Sequence, residues 1–228
     1  MRISTRCTQI LTLLIALGAS AAAAKADTSL YSDGPTNGTF AGWTINYGFQ
    51  VEDSFSLSSA STLNSVTFGN WFYTGDTGSS VDWAIVGSEG SQTPVCGACS
   101  GTASLSGVFD LNNGFGYDVY DETFSLPSLN LAAGTYWLEL QNEVASNGDP
   151  AYWDQNGGPS SVWENPLGDV SGSNCTVATG QASGSCSDAF TIYGTSSTGV
   201  TPEPSSLALL VSGITLLGAE IRRRRRIL

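Results

Sequence analysis

Gly134-Thr-Tyr-Trp-Leu-Glu-Leu-Gln141 repeats its character every second residue. Tyr136, Leu138 and Leu140 fall on one side and Trp137, Glu139 and Gln141 on the other, the alternation of a strand with one face against a core. A helix would need apolar residues three and four apart. Val81-Asp-Trp-Ala-Ile-Val86 follows the same rule, with Val81, Trp83 and Ile85 on one face. Phe49, Val51, Phe55 and Leu57 also line up, with Asp53 the odd member among them.

Outward from these stretches, short runs rich in Val, Ile, Thr and aromatics are separated by Gly, Asn, Asp and Ser at fairly regular spacing. Strands are expected over 29–31, 44–46, 49–57, 63–71, 80–87, 101–111, 116–126, 134–142, 151–154 and 189–193. No amphipathic, capped helical stretch interrupts them before the C-terminal tail. The fold class is all-β. Ten or so strands fit a two-sheet antiparallel β-sandwich of jelly-roll type better than a single barrel. The first strand of the domain and the last, Phe190-Thr-Ile-Tyr193, are expected to lie near each other and close it. There is no internal repeat.

Both ends of the chain differ from this texture. Arg2 and Arg6 precede an apolar stretch over 10–17 and a small-residue region ending Ala24-Lys25-Ala26. That is a secretory signal peptide, residues 1–26, with an Ala-x-Ala cleavage site. The domain is expected over 27–194, followed by a Ser/Thr/Gly tether at 195–201. From residue 202 the chain reads Pro202-Glu203-Pro204, an apolar run over 207–219, Glu220-Ile221, and then Arg222, Arg223, Arg224, Arg225 and Arg226. The prolines hold a short extended segment open. The apolar run predicts a single transmembrane helix, short against the roughly 20 residues a bilayer takes, and the arginines act as a stop on the cytoplasmic side. A plain C-terminal anchor and a disordered tail are the alternatives.

The charge distribution narrows the partners. All 8 basic residues lie at Arg2, Arg6, Lys25 and the arginine block, and the protein has no His. Only Glu203 and Glu220 of the 20 acidic residues lie outside 27–201, so that span holds the other 18 with no cation of its own. Nucleic acid is excluded, because nothing there neutralises phosphates. Anionic polysaccharides and anionic lipid surfaces are disfavoured for the same reason. Ser-His-Asp and Cys-His constellations, a Schiff-base lysine and a His-ligated zinc are all closed off.

Cys7 leaves with the signal peptide; Cys96, Cys99, Cys175 and Cys186 remain. Four cysteines in an exported chain point to two disulfides with three possible pairings. The local choice, Cys96–Cys99 with Cys175–Cys186, closes two loops rich in Gly and Ser. Without a basic neighbour to lower a thiol pKa, staples are expected rather than redox chemistry.

Three ligand chemistries survive. Glycoside hydrolysis needs only paired carboxylates, for which Glu139, Asp149, Asp154 and Glu164 stand near Trp137, Trp153 and Trp163 in sequence. Sugar binding needs aromatic faces beside hydroxyl-binding groups; Tyr152, Trp153 and Asp154, with Trp137, are the candidates. Calcium takes hard oxygens, and Asp149 with Asp154, or Asp118 with Asp121 and Glu122, supply them. Against each stands the plain reading of packed tryptophans and solvated carboxylates. No catalytic residue and no cofactor other than calcium is assigned.

The tail, through Pro202-Glu203-Pro204, the 207–219 run and the five arginines, resembles the PEP-CTERM sorting signal of Gram-negative bacteria. The resemblance implies processing near that motif by an exosortase after export through the Sec machinery. It also implies a place at the cell surface or in an extracellular polysaccharide (biofilm) matrix. Leu131-Ala-Ala-Gly-Thr-Tyr-Trp-Leu-Glu-Leu140, Asn147-Gly-Asp-Pro-Ala-Tyr-Trp-Asp154 and Leu30-Tyr-Ser-Asp-Gly-Pro35 are similar to ectodomains of PEP-CTERM proteins, which bring no activity with them. The expectation is an exported structural or adhesive protein, not an enzyme, held at the membrane by its C-terminal helix before processing. A carbohydrate-binding module is the alternative.

Overall fold

The structure, a computed structural model, describes residues 26–39, 41–160, 162–166, 173–174 and 187–197. The signal peptide, Cys175, Cys186, Pro202-Glu203-Pro204, the apolar run and the arginine block all lie outside the described residues.

Fourteen strands are found among the described residues: β1 (Thr28–Ser32), β2 (Gly42–Thr44), β3 (Phe49–Leu57), β4 (Ser61–Tyr73), β5 (Gly78–Val86), β6 (Ser100–Ser104), β7 (Ser106–Asn112), β8 (Tyr117–Leu131), β9 (Gly134–Ala145), β10 (Tyr152–Asn156), β11 (Val162–Pro166), β12 (Ser173–Asn174), β13 (Ser187–Asp188) and β14 (Phe190–Ser196). They form two antiparallel sheets. In the first, β4 is the spine. It pairs with β8 along its whole length on one side, and on the other with β14 and then β10. The outer strands of this sheet are β7 beside β8, β1 beside β14, and β2 and β13 beside β10. The second sheet runs β12-β11-β3-β9-β5-β6.

The core lies between them and follows the alternation of the sequence. Val81, Trp83 and Ile85 from the second sheet are buried, as are Val66, Phe68 and Phe72 from the first. Trp83 stacks on Phe124 across the gap at 6.2 Å between centroids, and Phe55 meets Phe190 edge-on at 6.5 Å. Each such side chain contributes about 1.5–3 kcal/mol by leaving water. Thr28 pairs with Gly194 and Ser32 with Thr191, so the first and last strands do close the domain side by side. β14 runs on to Ser196, opposite Ser61, so Thr195 and Ser196 belong to the sheet and not to the tether.

Two expectations need correction. The segment 101–111 is not one strand. Chain pairing switches at Leu105: β6 pairs with β5 in the second sheet, whereas β7 pairs with β8 in the first. The Leu105 N–H is satisfied by Ser79 O at this corner, where one stretch of chain serves both sheets. Val162–Pro166, outside the strands expected above, pairs with β3 over five residues.

Alternation is also broken once inside β9. Asn142 takes a left-handed φ of 50°, and the β5–β9 register shifts between Ser80 and Asp82. Such a bulge re-aims the residues beyond it. Leu138 and Leu140 point into the core before it; Glu143 and Ala145 do so after it.

Candidate functional site

A cleft of about 350 Å³ lies on the outer face of the second sheet, under the 87–99 loop. The loop is held by three devices. Cys96 and Cys99 form a disulfide with their Cα atoms 5.0 Å apart. The Val95 N–H donates to Ile85 O and the Ile85 N–H to Cys99 O. At the other end the Gly90 N–H donates to Glu52 Oε2 at 2.9 Å. Asp82, Gln92, Ser100, Thr102, Glu139 and Gln141 give the cleft its polar lining.

Glu139 sits at its floor, directly opposite Glu52 on β3. Like charges facing each other across a ladder repel, and the pair is managed by amides and protons. Gln50 Nε2 donates to Glu52 Oε1 and to Glu139 Oε2, each at 3.4 Å. Gln141 Nε2 donates to Glu139 Oε1 at 2.9 Å. Burial pushes Glu139 up to about 7. Burial, and then the Glu139 charge, push Glu52 up to about 8 against the Gly90 hydrogen bond. Only Glu139 reaches the cleft; Glu52 has no exposed surface. A glycosidase needs two carboxylates flanking one bond; the second acid of the cleft is Asp82, which accepts from the Thr102 hydroxyl and from Asn142 Nδ2 at 3.0 Å. The arrangement suits recognition of hydroxyl groups by Glu139, Gln141, Asp82 and Thr102.

The other sequence candidates are scattered. Trp153 is fully buried, wedged edge-on against Phe68 at 6.1 Å and Phe190 at 5.6 Å, and its Nε1 donates to Ala189 O at 3.0 Å. A ring with no exposed face offers nothing to a sugar. Asp154 is equally buried and spends its carboxylate on the N–H groups of Asn37 (2.7 Å) and Gly38 (3.1 Å) and on Trp71 Nε1 (2.6 Å). It latches the 34–39 loop over the first sheet. Asp149 stands apart in the β9–β10 loop, its backbone carbonyl accepting from Asn46 Nδ2 at 3.1 Å. Asp121 accepts from the Thr36 hydroxyl on the outer face, whereas Glu122 points into the core. Asp118 accepts from the Gly75 N–H at 2.9 Å and from Asn112 Nδ2 at 2.8 Å. Trp163 is buried against Gly90. Glu164, on β11, is half-buried and raised to about 7 by burial. Trp137 and Tyr152 are half-buried on different sheets.

Tyr152 acquires partners that the sequence does not suggest. Tyr117 meets it edge-on at 5.6 Å and stacks on Tyr73 at 5.0 Å. Tyr73 is 42% exposed, so this row of three rings offers an aromatic surface on the first sheet. Their positions, 73, 117 and 152, give no local signal.

Two buried carboxylate clusters were likewise illegible. In one, Asp53 accepts the Asp188 N–H at 2.6 Å and Asp33 accepts the Tyr31 hydroxyl at 2.5 Å, while both carboxylate oxygens of Asp188 have no partner. Burial and then the neighbouring carboxylates push Asp53 and Asp188 well above the usual range. The other gathers Asn70, Asp76, Glu122 and Glu143. Among the described residues no three Asp, Glu, Cys or His side chains already stand at metal-binding spacing. No protein-family model and no curated protein matches the chain.

Proposed function

We propose that this is an exported, surface-sorted protein of structural or adhesive role, a jelly-roll-type sandwich carried by a C-terminal sorting tail. The signal peptide directs export through the Sec machinery. The domain folds with its cysteines oxidised outside the cytoplasmic membrane. The 207–219 helix holds it there with the arginines inside, and an exosortase cuts near Pro202-Glu203-Pro204. The processed protein then joins the cell surface or the extracellular polysaccharide matrix.

The observation that carries this reading is the pairing of β1 with β14. It closes the domain on itself with a last strand that ends at Ser196, ahead in sequence of Pro202-Glu203-Pro204, as a passenger on a processed tail requires. The formed Cys96–Cys99 bridge supports an oxidising destination. The test replaces Glu203 and Pro204 by Ala in the native host and follows the mature mass. Loss of processing is expected; an unchanged mature mass overturns the exosortase assignment.

A second reading, a carbohydrate-binding module, is favoured by one observation, the exposed row Tyr73–Tyr117–Tyr152. Neutral glycans that bind the full-length protein and are lost in Tyr73→Ala support it; silence across a neutral-glycan array removes it.

A further inference from the structure

The interior of the sandwich contains four polar side chains that the function above does not use. Asn70 sits on β4 between Phe68 and Phe72, where alternation points it into the core. Asp76 lies in the β4–β5 turn, Glu122 points inward from β8, and Glu143 is turned inward on β9 by the Asn142 bulge. None is more than 4% exposed. Asn70 Nδ2 donates to Glu143 Oε1 at 2.5 Å, which ties the first sheet to the second. Each of the four still has one buried oxygen without a partner: Asn70 Oδ1, Asp76 Oδ2, Glu122 Oε2 and Glu143 Oε2.

Two glycines make room for the carboxylates. A Cβ on Gly107 would stand 2.4 Å from Glu122 Oε1, and one on Gly78 would stand 2.9 Å from Glu143 Oε1. The Gly78 N–H also offsets part of the rise that burial gives the Glu122 carboxyl, so Glu122 and Glu143 flank the same residue. Asp76 Oδ1 is fixed by the Ser146 hydroxyl, the Asn147 N–H at 2.8 Å and the Thr77 N–H at 2.9 Å. That leaves its other oxygen for the cluster.

Buried carboxylates are normally paired with a cation. Residues 27–201 contain none, so neutralisation comes from protons or from an ion taken from outside. We propose that Asn70, Asp76, Glu122 and Glu143 form a buried site for a calcium ion that joins the two sheets.

The donor set selects the metal. It is all hard oxygen, three carboxylates and an amide carbonyl, with no nitrogen or sulfur ligand, which suits calcium and its tolerance of irregular geometry. The carboxylates do not stand at coordination spacing as they are, so binding requires their side chains to rotate. A hollow of about 330 Å³ lined by Asn46, Tyr47, Asn142, Glu143, Val144 and Asp149 opens beside Glu143. The role is structural: the ion would take up the unpartnered oxygens of side chains from both sheets.

The test uses full-length protein stripped with a chelator and titrated with calcium chloride, magnesium chloride serving as the control. A single calcium ion binds per chain and raises the melting temperature. Glu143→Gln weakens calcium binding by about tenfold or more, because a charged ligand is lost. Asn70→Asp lowers the melting temperature of the calcium-free protein and tightens calcium binding, a reversal of sign that protonated carboxyls cannot produce. If Glu143→Gln does not fold, the wild-type titration and Asn70→Asp still decide. The proposal is overturned if calcium produces no heat and no thermal shift. It is equally overturned if calcium binds Glu143→Gln as tightly as wild type and is lost in Asp188→Asn, which moves the ion to the Asp33–Asp53–Asp188 cluster.

Discussion

Raising the pH is the perturbation that most directly probes a domain with buried acids and no bases. Glu52 is the group to follow, because it is fully buried on the outer face of the second sheet and faces Glu139. Its carboxyl is raised from 4.5 to about 8, first by burial and then by the Glu139 charge. A folded-state value above the unfolded one means that stability is fully present below 4.5 and is lost as pH rises through about 8. Each unit is about 1.4 kcal/mol, so the shift sets a ceiling of roughly 5 kcal/mol. Water reaching the cleft side of the pair screens the charge and brings the expected loss to about 2–3 kcal/mol. Glu139, at about 7, loses stability over the same window with the same sign.

The assay is urea unfolding of the full-length protein, in chelator, at about pH 5 and about pH 9. Wild type loses stability across that interval. Glu52→Gln keeps the shape and cannot ionise, so it matches or slightly trails wild type at the acidic end and exceeds it at the basic end. Between 4.5 and about 8 the difference in slope is at most about 1.4 kcal/mol per pH unit, the contribution of one titrating group. Two parallel curves refute the reasoning, because they would mean that Glu52 ionises in the folded state as readily as in the unfolded one.

Two substitutions test the frame around the site. At Gly194 an added Cβ would stand 2.0 Å from Thr62 O, a backbone atom of β4 that no rotamer change relieves. Gly194→Ala is expected to cost about 3 kcal/mol by forcing β14 away from β4, and an unshifted urea midpoint would contradict this. Asp154→Ala leaves the Asn37 and Gly38 N–H groups and Trp71 Nε1 without their acceptor. At about 1–3 kcal/mol for each buried orphan, partly offset by water entering, a net loss near 3 kcal/mol follows. The 34–39 loop should then be cut early in limited proteolysis, and a loop that resists cleavage would show that something else holds it.

Individual strands were legible because alternation is a local property. Tyr136, Leu138 and Leu140 declare a half-buried strand to anyone counting in twos, and Val81, Trp83 and Ile85 do the same. Asp53 announced itself as a carboxylate on an apolar face, and it is fully buried there. The meeting of the first and last strands was legible too. What counting in twos cannot see is a change of phase. The bulge at Asn142 moves Glu143 from the solvent side to the core, and nothing in Gln141-Asn-Glu-Val144 marks it. The corner at Leu105 hides in a run whose composition is strand-like on both sides.

The candidate site was legible only one residue at a time. Glu139 was named for its carboxylate and lies in the cleft, but its partner Glu52 is 87 positions away and meets it only through the β3–β9 register. Trp153 and Asp154 were named for their chemistry and are used for packing and for latching a loop.

By itself the sequence determined the class of the fold, the separation of all positive charge into the two ends, and the chemistries closed to a domain without base or cation. These follow from composition and from near-neighbour periodicity, which need no knowledge of what packs against what. Tertiary structure alone decided which carboxylates face each other, which are buried, and which tyrosines share a surface. Strand register and bulges are chosen by the packing of the whole sandwich, and a shift of one residue exchanges the inside for the outside.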